Sequence, residues 1–193
     1  PTRRSSDLYN ENVEKPAKAP VVAKTDASGN MISQQKSAWE FLTAGGGAGS
    51  VESDGSTHTI KSTNAGSLEY SVQYVQAKVP LNQGYSYRYS FDAYADEERT
   101  MITGISAPNN SYERRFGDVK VKLTTKKQHF SYDFNMIADS DPECRLEYNC
   151  GAQGSTAAIH ISNIRLEKTG EIDLSFGKSC LPDGNYIANG QFQ

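Results

Sequence analysis

Three polar side chains alternate with apolar ones between residues 145 and 150. Arg145, Glu147 and Asn149 share one parity, and the residues between them are apolar. Successive side chains of a β-strand point to opposite faces, so the three polar groups are predicted to stand in a row on one face. A guanidinium donates hydrogen bonds, a carboxylate accepts them and an amide does both. Such a row can bind a hydroxyl-rich ligand, or it can be a solvated outer face in which Arg145 and Glu147 form an ion pair of little energetic value.

Two glutamines and two aromatic residues are further candidates for a binding site. Gln73 and Gln76 are polar residues in an otherwise apolar stretch, and Tyr112 directly follows a polar loop at residues 107–111. Trp39 is the only tryptophan and lies among other apolar residues. A flat aromatic ring can pack against an apolar ligand surface. The alternatives are that Tyr112 is an ordinary exposed loop aromatic and that Trp39 packs in the core.

The nearest approach to a catalytic carboxylate pair is the run that contains Asp139, Asp141 and Glu143. Two carboxylates about 5 to 10 Å apart can act as acid and base on a glycosidic bond. These three fall within one turn of chain and have no partner from another element, so a solvated turn is favoured. The sequence offers no Ser-His-Asp or Cys-His arrangement. Its scattered histidines and missing Cys-x-x-Cys give no metal site. The residues alone therefore point to no catalytic centre.

Residues 70–95 organise the predicted fold, because they read as a hairpin of two strands joined across one turn. In the second half, apolar and polar residues alternate with a period of two. In the first half the apolar parity changes, which predicts a β-bulge near residues 74–75 that leaves Gln73 outside and re-aims Gln76. The turn is predicted at residues 82–84, where a glycine accepts a positive φ without steric cost.

Alternation elsewhere predicts further short strands. They are residues 58–62, 100–105, 119–123, 130–136, 145–150 and 159–166, with a shift of parity at residues 162–163 in the last. No stretch of ten residues shows a helical stripe. Roughly eight or nine short strands with turns between them predict an all-β protein. The expected architecture is an antiparallel β-sandwich, in which one face of each sheet fills the core and the other is free.

The composition is that of one globular domain with extensions. The chain has 193 residues, of which 36% are hydrophobic and 22% are charged, and its net charge is -3. This charge gives no electrostatic reason to expect nucleic acid or an anionic membrane surface as a partner. No apolar run approaches the roughly 20 residues that span a bilayer. The chain begins at Pro1 without a charged-then-apolar leader, so any signal peptide is expected to lie outside this fragment.

Composition also divides the chain into three parts. Residues 1–30 contain Pro, Lys, Ala, Ser and Asp with almost no aromatic content, which is typical of a linker that cannot bury enough surface to order itself. We predict a tether at residues 1–30 and the sandwich at residues 31–168. Residues 169–193 are expected to be a linker that ends as the start of a second module or as the final strand.

The three cysteines, Cys144, Cys150 and Cys180, cannot all be paired with one another. Cys144 and Cys150 would be about 20 Å apart on one extended strand, which is too far for a disulfide. Cys180 can pair with either of them, or the thiols can be buried and free as small apolar groups.

Several stretches in order carry a family resemblance. They are V-Q-x-x-Q-x-x-V-x-L-x-x-G-x-x-Y-x-x-x-F-D-A-x-A from Val72, the strand from Asp141 to Asn149, and the closing I-H-I-S-N-I-R-L at residues 159–166. Their order and spacing resemble carbohydrate-binding modules of family 4 and of the related families 9 and 22. The resemblance spans about residues 39–166. It implies a jelly-roll sandwich, galactose-binding-domain-like, whose concave sheet forms a cleft for a single β-glucan or xylan chain.

The resemblance implies roles for individual residues as well. Tyr112 falls where the family places an aromatic platform, and Trp39 matches a tryptophan that often packs at the cleft edge. A sugar ring has an apolar face of C–H groups and a rim of hydroxyls, so a site needs a flat aromatic for the face and amides or charged groups for the rim. The implied groove residues are Gln73, Gln76, Arg145, Glu147 and Asn149.

Two departures from the family pattern affect what is expected. Members often bind a structural Ca²⁺ through an aspartate in the closing strand, but here that position is Ser162. The opening strand of the type N-G-D-F is missing near Met31, while a version of it, at residues 189–192, ends the chain. The sequence therefore indicates no cofactor with certainty. A structural Ca²⁺ is possible, with its usual aspartate replaced by Ser162.

The resemblance implies a non-catalytic module of a secreted glycoside hydrolase, which would grip one soluble or amorphous β-1,4-glucan chain and target the enzyme to plant polysaccharide. The expected partners are a β-glucan or xylan chain and an attached catalytic domain in the same polypeptide. The first alternative is a structural or interaction module of a secreted or cell-surface protein with no sugar site. The second is an accessory domain that contributes to the active site of a neighbouring catalytic domain.

Overall fold

A computed structural model of the chain describes residues 39–174. This part contains ten β-strands and two single-turn 3-10 helices, Glu69–Ser71 and Pro108–Asn110. Neither helix is long or apolar enough to cross a membrane. The strands are β1 (Trp39–Thr43), β2 (Ala48–Ser53), β3 (Thr57–Asn64), β4 (Val72–Leu81), β5 (Tyr85–Ala95), β6 (Arg99–Ala107), β7 (Glu113–Leu123), β8 (Gln128–Asn135), β9 (Asp141–Asn149) and β10 (Ile159–Glu171).

The strands form two five-stranded antiparallel sheets. The front sheet has the order β1-β4-β9-β6-β7, and the back sheet has the order β2-β3-β10-β5-β8. The predicted antiparallel β-sandwich is therefore confirmed. The sequence predicts roughly eight or nine strands and the described part has ten, because the short strands β1 and β2 on either side of the glycine-rich turn show no clear alternation.

Aromatic residues from both sheets fill the core. The alternating residues Tyr87, Tyr89 and Phe91 of β5 are all buried, as is Tyr148 of β9. The rings of Phe91 and Tyr148 lie 5.4 Å apart at an interplanar angle of 81°, an edge-to-face arrangement worth about 0.5 to 1.5 kcal/mol beyond the buried area. The period of two in the sequence thus identifies the inner face correctly.

The predicted hairpin at residues 70–95 is wrong, although its turn is correctly located. β4 pairs with β1 and β9, whereas β5 pairs with β10 and β8. Residues 82–84, with Gly84 at φ 84°, carry the chain from the front sheet to the back sheet. Alternation shows that a segment is a strand with one buried face, but it does not identify the strand's partner.

The predicted bulges have mixed outcomes. In β4 the register shifts lie between Gln76 and Leu81, with Lys78 at φ 57°, and not at residues 74–75. In β10 a register shift lies between Ser162 and Arg165, which confirms the parity change predicted there. In β4 the apolar residues occupy both faces, so parity alone misplaces the bulge.

Glycines let the 3-10 helix Glu69–Ser71 pack closely on the rest of the front sheet. A Cβ added to Gly47 would lie 2.0 Å from the carbonyl oxygen of Ser71, and one added to Gly151 would lie 2.3 Å from that of Leu68. The amides of Cys150 and Gly151 donate to Val72 and Glu69. Close backbone approach explains Gly47 and Gly49, whereas Gly45 and Gly46 have positive φ in the turn before β2.

Replacing Gly47 by Ala is expected to lower the free energy of unfolding by about 2 to 4 kcal/mol, because the new methyl group overlaps backbone that cannot move without shifting the helix. The matched control is Gly117→Ala, since a Cβ at Gly117 meets no heavy atom within 4 Å. Urea unfolding measures both variants. Equal stabilities of the two variants would show that the close packing is not required.

Several predictions concern residues that lie partly or wholly outside the described part. The tether at residues 1–30, the possible second module at residues 185–193 and Cys180 are among them. Within the described part, β10 continues to Glu171, past the predicted limit at residue 168. Cys144 and Cys150 are buried thiols, and burial raises the pKa of each to about 12. The pairing of Cys180 stays a prediction.

The calcium expectation also stays untested. Ser162 lies opposite Asp92 in the ladder of β10 and β5. The two carboxylate oxygens of Asp92 already face Nδ1 of His129, at 2.7 Å, and Nδ2 of Asn163, at 2.5 Å. Between residues 39 and 174, no group of three or more His, Cys, Asp and Glu side chains is placed to hold a metal ion.

Candidate functional site

The outer face of the front sheet carries a row of side chains that crosses all five strands. Backbone register aligns Leu42 with Gln73, Gln73 with Asn149, Asn149 with Ile102, and Ile102 with Lys120. We call these five residues the cross-strand row. Neighbouring strands lie about 4.8 Å apart, so the row runs about 19 Å across the sheet. Asn149, the β9 member of this row, shares its parity with Glu147 and Arg145. The three side chains therefore lie on one face of β9, which confirms the predicted polar face.

A cleft of about 670 Å³ lies over this face. Its floor comes from the central strands β4, β9 and β6. The β1 wall comes from the end of β1 and the 3-10 helix Glu69–Ser71, and the β7 wall comes from Tyr112 and β7. The lining residues are Gln73, Ile102, Arg145, Glu147 and Asn149 on the floor, Leu42, Thr43, Glu69 and Tyr70 on the β1 wall, and Tyr112, Arg114 and Asp118 on the β7 wall.

Glu147 organises the floor of the cleft. Its Oε1 accepts hydrogen bonds from Ser106 Oγ at 2.6 Å and from Nε and Nη2 of Arg145 at 2.9 and 2.7 Å. Its Oε2 accepts from Arg114 Nη1 at 2.6 Å. The residue is only 1% exposed, so a solvated outer face is the wrong interpretation of this row. The two oxygens of Glu147 are thus engaged within the protein, and the residue positions two arginines at the floor.

The surroundings of Glu147 favour its charged form. Burial alone raises the pKa of this carboxyl, but hydrogen bonds from Ser106, Arg114 and Arg145 outweigh it, and the net pKa is lowered from the ordinary value of 4.5. A carboxyl whose pKa is lowered by folding stabilises the protein above its unfolded pKa and loses that contribution as the pH falls through the folded pKa. Glu147 therefore stabilises the fold fully at neutral pH.

This sign leads to a testable pH dependence. The stability difference between the wild type and Glu147→Gln is expected to be largest above about pH 5 and to narrow as the pH falls below the ordinary value of 4.5. Urea unfolding of both proteins over an acid pH series measures the difference. Taking the difference removes the common effect of other carboxyls. A stability difference between the two proteins that stays constant until acid unfolds them would contradict the assigned charge of Glu147.

Two buried amides continue the floor along the cross-strand row. Gln73 Nε2 donates to Asn149 Oδ1 at 2.6 Å. The bond uses one amide proton of Gln73 and the carbonyl oxygen of Asn149, so Gln73 Oε1 and Asn149 Nδ2 are the atoms that can serve a ligand. The floor thus offers an acceptor and a donor side by side, next to the apolar surface of Ile102.

A glycine in β6 makes room for the charged wall. A Cβ at Gly104 would lie 2.9 Å from Asp118 Oδ1 and 3.2 Å from the carbonyl oxygen of Gly117. Because Gly104 has no Cβ, the Asp118 side chain can lie close to the floor. There Asp118 Oδ2 accepts a hydrogen bond from Arg114 Nε at 3.1 Å. Arg114 is therefore held by two carboxylates, Asp118 and Glu147.

Tyr112 is presented to the cleft by a strained turn. Both Ser111 and Tyr112 have positive φ, at 54° and 60°, a conformation that costs a residue with a side chain about 1 to 2 kcal/mol. The Tyr112 amide donates to Ala107 O at 3.1 Å, which closes the turn. The ring is 54% exposed, and Arg145 Cζ lies 5.0 Å from its centroid. The loop presents Tyr112 as predicted.

Tyr70 is a second exposed aromatic residue that the sequence did not reveal. It was assigned to a strand by parity, but β4 begins at Val72 and Tyr70 lies in the 3-10 helix before it. Its side chain is 50% exposed and lines the β1 wall. Tyr70 and Tyr112 thus flank the amide and guanidinium floor from two sides.

Two predicted groove residues lie elsewhere. Gln76 has the parity of Tyr74 and aligns with Leu146 and Trp39, so it belongs to the inner side of β4 and does not line the cleft. Trp39 stacks on Tyr74 with ring centroids 4.6 Å apart and packs against the core. Gln76 is misplaced because the strand partner, which decides the face, is not visible in the sequence, whereas Trp39 follows the alternative in which it packs with the core.

Other lining residues had weaker signals in the sequence. Arg114 lies two residues after Tyr112, in the half of β7 that does not alternate, since a register shift interrupts the strand between Val119 and Phe116. Ile102 lies in the segment 100–105, where apolar and polar residues do not alternate strictly, so parity cannot be read there. The acidic run was only partly a solvated turn, because Asp141 is buried.

The scan against protein-family models matches residues 21–157 to a family described as "Carbohydrate binding domain". This stretch covers more than half of the chain and includes every residue that lines the cleft. No curated protein matches the chain. The match begins inside the part predicted as a tether.

Solved structures with this architecture include carbohydrate-binding modules. A structure described as "CBM4 structure and function" has a TM-score of 0.62 and 20% identity, over 79% of this chain and 96% of that one. The N-terminal cellulose-binding domain of Cellulomonas fimi β-1,4-glucanase C has a TM-score of 0.56 and 19% identity, over 69% and 90%. The second such domain of that enzyme has a TM-score of 0.52 and 16% identity, over 68% and 86%. At these identities the likeness shows the fold.

Proposed function

This chain belongs to the family of carbohydrate-binding domains, as a non-catalytic binding domain, and we propose that its cleft binds a single β-glucan chain, with soluble or amorphous β-1,4-glucan favoured. The observation that carries this proposal is the pairing of exposed Tyr70 and Tyr112 with a floor of fixed amides and guanidinium groups. The cleft lies over the sheet that the family resemblance implied.

The chemistry of the cleft matches the two kinds of surface on a sugar ring. The flat rings of Tyr70 and Tyr112 suit the C–H faces, and aromatic side chains bury large areas there. Gln73, Asn149 and the free guanidinium nitrogens of Arg114 and Arg145 suit the hydroxyl rim, which needs both donors and acceptors. Arg145 Nη1 and Arg114 Nη2 make none of the contacts to Glu147 or Asp118 described above.

The charges of the cleft favour a neutral backbone. The lining carries two arginines and three carboxylates, Glu69, Asp118 and Glu147. Arg114 and Arg145 are already paired with Asp118 and Glu147, so the site has little free positive charge for a polyanion. A neutral glucan or xylan chain meets no like charge in such a cleft.

Binding is expected to be weak. Each hydrogen bond to a sugar replaces one to water and contributes about 0.5 to 1.5 kcal/mol. An open cleft should therefore bind in the micromolar to millimolar range, about 4 to 8 kcal/mol in total. Affinity of this size suits a module that tethers an enzyme to a repetitive substrate and lets it move.

The module's biological role follows from this binding. We propose that it targets an attached glycoside hydrolase to plant polysaccharide in a secreted protein. The structural support is indirect: one similar fold is a cellulose-binding domain of a β-1,4-glucanase. A structural module without a sugar site is less well supported, because the front face is a cleft with two exposed tyrosines and not a flat polar sheet.

Titration calorimetry of the purified chain against soluble glucans, xylan and matched oligosaccharides tests the proposal. The panel includes β-1,4-, mixed-linkage and β-1,3-glucans, with and without a chelator. Saturable binding to a β-1,4-glucan is the expected result. Tighter binding to xylan would mean that xylan, and not β-1,4-glucan, is the preferred ligand of the cleft. No heat with any member of the panel would contradict the carbohydrate assignment of this cleft.

A further inference from the structure

Two lysines extend the outer face of the front sheet beyond the β7 wall. Lys120 ends the cross-strand row beside Ile102, and Lys122 aligns with Thr100 in the next position on the same face. Both lysines are exposed. Since adjacent strands lie about 4.8 Å apart, Lys120 is one strand from the floor residue Ile102 and two from Asn149.

Both lysines lack a carboxylate partner within residues 39–174. The ten ion pairs of this part of the chain include Lys61, Lys168, two of the three histidines and several arginines, but neither Lys120 nor Lys122. The arginines of the cleft, in contrast, are neutralised by Glu147 and Asp118. The free positive charge beside the cleft is therefore concentrated at its β7 end.

The opposite wall has the opposite charge. Glu69 lines the β1 wall, and it takes part in no ion pair described for residues 39–174. A ligand with a carboxylate on every sugar would meet Glu69 and Asp118 as like charges. A neutral chain with one acidic substituent avoids Glu69 and Asp118 if the substituent lies over the part of β7 beyond Asp118, at Lys120 and Lys122.

We propose that Lys120 and Lys122 form a subsite for the carboxylate of a uronic acid carried by an otherwise neutral glycan chain. The inference rests on the proposed function, since the neutral backbone must occupy the cleft for the substituent to reach β7. The interaction is electrostatic and exposed, so it adds modestly to affinity and is screened by salt. It selects acid-bearing regions of a polysaccharide over unsubstituted ones.

The competing explanation is that these lysines protect an edge. β7 is the outer strand of the front sheet, and lysine on an exposed edge strand discourages pairing with another chain. Such a role requires no ligand and predicts that the lysines do not affect binding. Comparison of charged and neutral ligands separates the two explanations.

The test compares two oligosaccharides that differ by one carboxylate. One pair is a xylo-oligosaccharide with a glucuronic acid branch and the same oligosaccharide with a neutral glucose branch, and the other is a β-1,4-glucan oligosaccharide with and without oxidation of one primary hydroxyl to the acid. The wild type, Lys120→Gln, and the Lys120→Gln, Lys122→Gln double variant are titrated by calorimetry. Lys126→Gln is the control, because Lys126 lies in the turn after β7 and is also exposed.

The wild type is expected to bind the acid-bearing ligand about two- to fivefold more tightly than its neutral counterpart at low salt. The double variant loses this preference but keeps its affinity for the neutral ligand, and the control keeps both. About 1 M salt, where the Debye length is about 3 Å, removes the preference.

Other results would overturn the inference in distinguishable ways. Equal wild-type affinity for both ligands, or a preference that survives in the double variant, contradicts the subsite and leaves the proposed function intact. Absence of binding to every ligand contradicts the proposed function, and the inference with it. Circular dichroism and thermal unfolding confirm that the variants fold.

Discussion

Replacing Glu147 by Ala is expected to lower the free energy of unfolding by about 3 to 5 kcal/mol, which is the cost of removing one partner from a buried ion pair. The substitution leaves Arg114 and Arg145 without the carboxylate that separates their charges and deprives Ser106 of its acceptor. Glycan affinity should fall more than tenfold, because the guanidinium groups lose their fixed positions. Urea unfolding and calorimetry at neutral pH measure the two effects.

The matched control for this variant is Glu167→Ala. Glu167 pairs with Arg165 at 3.8 Å, and both side chains are about two-fifths exposed, at 38% and 41%. An exposed pair of this kind contributes about 0 to 1 kcal/mol. Similar losses of stability for both variants would mean that Glu147 is not the organising centre of the floor.

Removing either exposed tyrosine should weaken binding without unfolding the domain. Tyr112→Ala and Tyr70→Ala are each expected to lower glycan affinity by about tenfold, or about 1.4 kcal/mol, because a sugar face loses its flat partner. Both side chains are at least half exposed, at 54% and 50%. The free energy of unfolding should therefore change by no more than about 1 kcal/mol.

Two controls separate stacking from other effects of these variants. Tyr112→Phe keeps the ring and should retain most of the affinity, whereas loss of binding would indicate a role of the hydroxyl group. Ile137→Ala removes another exposed apolar side chain, one that is 67% exposed and does not line the cleft, and should bind as the wild type does. Full affinity in Tyr70→Ala would restrict the platform to Tyr112.

The sequence predicted the sandwich and the polar face of β9 because both depend on local alternation. Tyr87, Tyr89 and Phe91 point inward together on any strand with one buried face. For the same reason Arg145, Glu147 and Asn149 lie together on one face of β9, and Tyr148 lies on the other face. These inferences need no knowledge of which strands are neighbours.

The features that the sequence did not reveal depend on contacts between distant segments. The faces of Gln76 and Trp39 follow from the pairing of β4 with β1 and β9, and not with β5. Tyr70 is exposed because distant glycines, among them Gly47 and Gly151, let its short helix pack against the sheet end. The hydrogen bond to Glu147 Oε2 comes from Arg114, which lies 33 residues away in the sequence. A single sequence carries no signal for such pairings.

Nuclear magnetic resonance of the isotope-labelled chain, titrated with a β-1,4-glucan oligosaccharide, tests the central claim most directly. The side-chain amide signals of Gln73 and Asn149 and the backbone amides around Tyr70 and Tyr112 are expected to shift together with one dissociation constant. Residues on the outer face of the back sheet, such as Asp92 and His160, should be unaffected. Shifts confined to the back sheet, or no shifts at all, would contradict the assignment of the front-sheet cleft as the glycan site.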